Sequence, residues 1–116
     1  MRLPDGEQAA REARRYARAW ATQQLLAGEL VDDLQLISSE LVNNAIRHGS
    51  PPYEFDLSYT DGAILGIVSD GSPLLPRTNP SPGEHGGFGL GIVTSCSSRW
   101  GTESTPMGKQ VWFELK

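Results

Sequence analysis

The stretch Ser39-Glu40-Leu41-Val42-Asn43-Asn44-Ala45-Ile46-Arg47-His48-Gly49 decides how this chain is read. Leu34, Ile37, Leu41 and Ala45 recur through it at three- and four-residue spacing, the apolar stripe of a helix running from Leu30 to about His48. Gly49, followed by Ser50, Pro51 and Pro52, supplies the stop. Glu40 and Asn44 stand at i and i+4, one turn apart and rotated by only ~40° about the axis, so they can face one site together. On the helical wheel Asn44 and His48 flank the stripe, and Glu40 lies just beyond its edge. A carboxylate and an amide at that rim can orient a hydroxyl or a water. They can also offer an oxygen ligand to Mg²⁺, which takes one or two protein ligands and completes its shell with phosphate oxygens. A solvated Glu beside a helix-surface Asn is the plainer alternative.

Upstream, Ala9, Ala13, Tyr16, Ala17, Trp20 and Ala21 keep helical spacing between Glu7 and Leu26, with Arg11, Arg14, Arg15 and Arg18 on the other positions. This predicts a first amphipathic helix, broken near Gly28. Downstream, Phe55, Leu57 and Tyr59 alternate with Glu54, Asp56 and Ser58, and Asp61-Gly62 separates them from Ile64, Leu65, Ile67 and Val68, a hairpin signal. Residues 71 to 91 hold ten Gly or Pro among twenty-one and predict a loop for most of their length. Leu90, Ile92, Val93 and Cys96 suggest a short helix from about Phe88, after which Trp100 and the run Val111 to Leu115 close the chain as strands. Helices followed by a mostly antiparallel sheet make an α+β layered domain, and 116 residues form a single domain over 1–116. Size scaling gives a folded surface of ~6,200 Å² against ~18,000 Å² for the extended chain, enough burial for a core without staples.

Three further features carry possible chemistry. Asp70-Gly71 ends the apolar run Ile67-Val68-Ser69. A carboxylate there can accept hydrogen bonds from a ligand amine, although Asp-Gly is also the commonest turn dipeptide. Gly86-Gly87-Phe88-Gly89-Leu90-Gly91 precedes and enters an apolar helix, where free amides and absent Cβ atoms suit a phosphate cradle. A flexible hinge is the alternative, and neither the Walker nor the dinucleotide fingerprint fits, because no Gly-Lys-Ser/Thr and no βαβ context accompany it. Lys109, after Gly108, can reach a phosphate or stand as a solvated edge charge. His48 reads as a helix C-terminal residue facing the dipole, His85 has no metal partner at the right spacing, and Cys96 reads as core.

The charge balance of −4, from ten Lys and Arg against fourteen Asp and Glu, argues against non-specific nucleic-acid binding. A single cysteine allows no internal disulfide, and no apolar run approaches the ~20 residues of a membrane span. The expectation is a cytoplasmic protein with no direct nucleic-acid or membrane partner.

In order, Glu40-x-x-x-Asn44-Ala45-x-x-His48-Gly49, Asp70-Gly71, Gly87-x-Gly89-Leu90 and Gly108-Lys109-x-Val111-Trp112 resemble the N box, G1 box, G2 box and last strand of the GHKL ATPases. The likeness is to the short, single-domain branch of anti-sigma-factor serine kinases and related bacterial regulatory ATP-binding proteins. It covers nearly the whole chain. It implies the Bergerat two-layer α/β sandwich, with a mostly antiparallel mixed sheet, helices on one face, and a strand before the first helix that is short or absent here.

The resemblance also implies ATP and Mg²⁺ as cofactors, with Asn44 as the metal ligand and Asp70, followed by Gly71, reading the adenine amine. Gly87, Gly89, Leu90 and Gly91 would cradle phosphates, residues 74 to 86 would form the lid, and Glu40 would be the general base. The G1 box of the family usually reads Asp-x-Gly-x-Gly, whereas here Gly71, Ser72, Pro73 and Leu74 follow Asp70. The function implied is a serine/threonine kinase that phosphorylates a small antagonist protein and sequesters a sigma factor. Its alternative is a non-catalytic, nucleotide-gated module that holds a transcription regulator. A histidine-kinase catalytic domain fits less well, because no helical dimerisation segment with a phospho-accepting His precedes the domain. A small α+β domain without nucleotide is the remaining reading. The apolar and aromatic face of the first helix, Tyr16 and Trp20 included, leaves homodimerisation open.

Overall fold

The structure, a computed structural model, describes residues 1–74 and 90–116. A two-residue strand, β1 (Arg2–Leu3), leads into α1 (Gln8–Gln23) and α2 (Glu29–His48). The hairpin β2 (Tyr53–Thr60) and β3 (Ala63–Asp70) follows, then α3 (Leu90–Cys96) and a second hairpin, β4 (Arg99–Thr105) and β5 (Gly108–Leu115). The strands form one open sheet in the order β1-β2-β3-β5-β4, and every pairing among the described strands is antiparallel. This is the α+β two-layer arrangement expected. The strand before the first helix is present but only two residues long, pairing Leu3 with Tyr53. The whole chain exposes 6663 Å², close to the size-scaling expectation.

α1 is built to lie close to α2. Ala9, Ala13, Ala17 and Ala21 are buried in a continuous i, i+4 stripe, and small side chains there let the two helix axes approach. The helix ends three residues short of Leu26. Leu25 takes a left-handed φ of 60°, its N–H donates to the Thr22 carbonyl at 3.0 Å, and the Leu26 N–H donates to Ala21 at 2.9 Å. This pair of bonds is the Schellman C-terminus, which satisfies the last carbonyls and turns the chain. α2 carries Glu29 and Asp32 in its first turn and Arg47 and His48 in its last, each sign matched to the helix dipole.

The core lies between the helices and one sheet face, with Phe55, Ile64, Val68, Phe113 and Leu115 meeting Leu34, Ile37, Leu41 and Val42. Tyr16 meets Phe55 edge-on at 5.6 Å between ring centroids. Gly66 faces Phe113 across β3 and β5, and any Cβ at Gly66 would run into the phenyl ring. Trp100 joins the edge strand to α3, its indole N–H donating to Thr94 Oγ1 at 2.9 Å. Cys96, read as core, is half-buried and packs against the same cluster. Phe88, the expected start of the third helix, lies outside the described residues, and the helix is seen from Leu90.

Candidate functional site

α2 delivers its polar pair to the edge of the core. Leu34, Ile37, Leu41 and Ala45 are buried as the stripe requires, and this rotates Glu40 to a half-buried position and Asn44 to a buried one. Arg14 of α1 reaches the same region and donates from Nη1 to Ser39 Oγ at 2.8 Å, next to Glu40. Asn44 is 9% exposed, yet among the described residues its Nδ2 has no hydrogen-bond partner. A buried amide N–H left unpaired costs about 1–3 kcal/mol, so its placement calls for an acceptor beyond the described contacts. His48 is exposed on the last turn.

Asp70, the last residue of β3, is buried on the helix-facing side of the sheet. Three glycines bring the end of α2 and the start of β5 against it. The backbone of Gly49, just past α2, lies so close that a Cβ there would stand 2.5 Å from Asp70 Cγ. The N–H of Gly71 donates to the Ser50 carbonyl at 2.6 Å, which ties the end of β3 to the end of α2. Gly108, at φ 154°, starts β5 directly against the Asp70 and Gly71 backbone, where a side chain has no room. The Ser72 N–H donates to Asp70 Oδ1 at 2.8 Å and closes an Asx turn. Next to this junction Tyr53 titrates above the ordinary phenol value of 10.0, chiefly through burial and then through the negative charges of Asp5 and Asp70.

Lys109 is neither solvated nor at a free edge, which corrects the edge-charge reading. It pairs directly opposite Asp70 in the β3–β5 register, and its Nζ lies 3.0 Å from each carboxylate oxygen. The expectation overlooked this pair because 39 residues separate the partners. The available signal was register, since opposite residues of an antiparallel pair share a face and both residues sit where a polar group terminates an apolar alternation.

The other expected site residues divide. Leu90 opens α3 and Gly91 follows it, with no described residue within 4 Å of where a Gly91 Cβ would sit. Gly87, Gly89 and the proposed lid, apart from Leu74, lie outside the described residues. The structure therefore brings Asn44 beside Glu40 on α2, and the end of α2 against Asp70, Gly71 and Lys109, through the contact between α2 and β3.

The family model of the histidine kinase-like ATPase domain matches residues 3–115. The chain belongs to that family. It is an ATP-binding domain, and its two-layer fold is the family's. A search of curated proteins found no match. Among the described residues no three His, Cys, Asp or Glu side chains converge. An ion bound beside Asn44 would then draw most of its ligands from phosphate and water, the shell that Mg²⁺ prefers. Asn44 could offer Oδ1 to such an ion, while its unpartnered Nδ2, a donor, suits an acceptor such as a phosphate oxygen. No described helix of the domain is long and apolar enough to cross a membrane.

Proposed function

We propose that this ATP-binding domain is a regulatory serine/threonine protein kinase of the anti-sigma type. It uses Mg²⁺-ATP to phosphorylate a small antagonist protein, and it holds a sigma factor by surface contact. The observation that supports the reading best is Asn44, a buried side chain whose Nδ2 donor has no partner among the described residues, one helical turn from half-buried Glu40.

In this reading Asn44 would hold Mg²⁺ through Oδ1, and the ion would supply charge neutralisation at the phosphates. Asp70 and Gly71 take the adenine. Gly87, Gly89, Leu90 and Gly91 cradle the phosphates, with backbone amides near the start of α3 as donors. Glu40 accepts the proton of a partner's serine or threonine hydroxyl as that oxygen bonds to the γ-phosphorus. The bond from γ-phosphorus to the bridging oxygen breaks, and ADP leaves with the electron pair. Positioning and electrostatic stabilisation supply most of the acceleration.

Calorimetric titration with ATP and ADP, with and without Mg²⁺, tests the nucleotide site. The expected result is saturable, Mg²⁺-dependent binding, weakened at least about tenfold in Asn44→Ala by the loss of a metal ligand. Phosphotransfer from γ-labelled ATP to a serine- and threonine-containing peptide library tests the kinase. Glu40→Gln is expected to bind ATP as the wild type does and to lose about 10²–10⁴-fold in transfer rate. Binding without transfer in the wild-type protein would select the non-catalytic, nucleotide-gated module instead.

A further inference from the structure

Lys109 and Asp70 form an ion pair that water scarcely reaches, their side chains being 4% and 3% exposed. Charges at such depth are costly unless each is paired and hydrogen-bonded, and this pair is confined from every side that the structure describes. Oδ1 accepts from the Ser72 N–H at 2.8 Å and from Lys109 Nζ at 3.0 Å. Oδ2 faces the same ammonium at 3.0 Å. The Gly49 backbone closes on the carboxyl carbon, and Gly108 packs the start of β5 onto the Asp70 main chain. The carboxyl group therefore has one orientation.

An ionised carboxylate offers about four acceptor sites and no donor. Ser72 and Lys109 occupy the two on Oδ1, while among the described residues Oδ2 meets only Lys109 and keeps an acceptor position for a further N–H. A neutral carboxylic acid in the same place would have an O–H to give, and it would serve a ligand carbonyl as well as a ligand amine. The ammonium of Lys109 stands between these two cases.

We propose that Lys109 is a positioning residue, which clamps Asp70 as a fixed, acceptor-only carboxylate and so makes the base pocket select an exocyclic amine over an exocyclic carbonyl. This role rests on the reading of Asp70 as the base contact. It gives the Lys109 ammonium a task at the base rather than at the phosphates, which matches its commitment to both oxygens of Asp70.

Titration of the whole chain with Mg²⁺-ATP and Mg²⁺-ITP separates the two cases, because the purines differ in carrying an amine or a carbonyl at carbon 6. The wild type is expected to prefer ATP by at least about tenfold, the worth of one hydrogen bond to a charged group. In Lys109→Met the carboxyl loses its counter-charge and the donor that meets both its oxygens, and the preference is expected to fall within about threefold. Lys109→Gln, neutral but still a hydrogen-bond donor, is expected to show the same loss, and it decides alone should Lys109→Met not fold by circular dichroism. A merely structural lysine would lower both affinities together and leave the ratio where it was, and that result overturns the clamp while leaving the nucleotide site intact. Wild-type protein that binds neither nucleotide overturns the nucleotide reading and the clamp with it.

Discussion

At Glu114, on β5, the carboxylate accepts from Arg99 Nη2 at 2.8 Å, and Lys116 Nζ lies 3.6 Å from its other oxygen. The Arg99 guanidinium, itself 5.8 Å from the centre of the Trp112 ring, holds this carboxyl below its ordinary value of 4.5, first through the hydrogen bond and then through charge, with burial opposing. In the folded chain Glu114 therefore gives up its proton at lower pH than in the unfolded chain. The resulting stabilisation is present above about pH 4.5 and is lost as pH falls through the folded value. Thermal midpoints of the wild type and Glu114→Gln are expected to differ at neutral pH and to converge on acidification below about 4.5. A gap that stays constant down the acid range would remove this pair from the acid response. Asp70 and Lys109 belong to the same scale but differ in kind, since solvent screens Arg99 and barely reaches the buried pair.

Among the elements, α1 combines a sequence-encoded face with a terminus that the tertiary fold imposes. Its alanine stripe is legible as a period and packs as that period requires. Its end is not legible, because a leucine stands where a glycine is usual. Leu25 holds φ 60° with 92% of its surface exposed, so its side chain gains little from packing while its backbone occupies the region that disfavours a Cβ. Leu25→Gly is expected to raise stability by about 0.5–1 kcal/mol, the relief of that conformation less the entropy glycine adds to the unfolded chain, as measured by urea unfolding. The opposite case is the alanine stripe, where no space is spare. Ala13→Leu is expected to cost about 1–3 kcal/mol and to lower the melting temperature, since α1 would have to back away from α2.

For the whole molecule, the proposed site is a junction between layers. Asn44 and Glu40 belong to α2, Asp70 and Gly71 to the end of β3, and Lys109 to β5. A ligand that bridges such separate pieces stabilises the native state by mass action. At a free Mg²⁺-ATP concentration a hundredfold above Kd the gain is about 2.7 kcal/mol. Scanning unfolding of the wild type is therefore expected to move several degrees upward with Mg²⁺-ATP, and that of Asn44→Ala by about half as much or less, as a tenfold or greater loss of affinity requires. An equal rise in both proteins would show that the nucleotide binds elsewhere.

What the sequence determined by itself is local and periodic. The α2 stripe from Leu34 to Ala45 set the helix and put Glu40 and Asn44 on one rim, Asp61-Gly62 set the β2–β3 hairpin, and the order of the short motifs pointed to the family that the match over residues 3–115 bears out. Each depends on neighbours within a few positions, and sterics and solvent sort such patterns without reference to the rest of the chain. Only the tertiary structure decided that Lys109 leaves water to face Asp70, that Gly49 and Gly108 close on the same carboxylate junction, and that Asn44 is buried with a polar end unspent. These outcomes follow from β3–β5 register and from the seating of α2 on the sheet. They are long-range choices whose energies come from burial and pairing between distant segments, which no window of sequence contains.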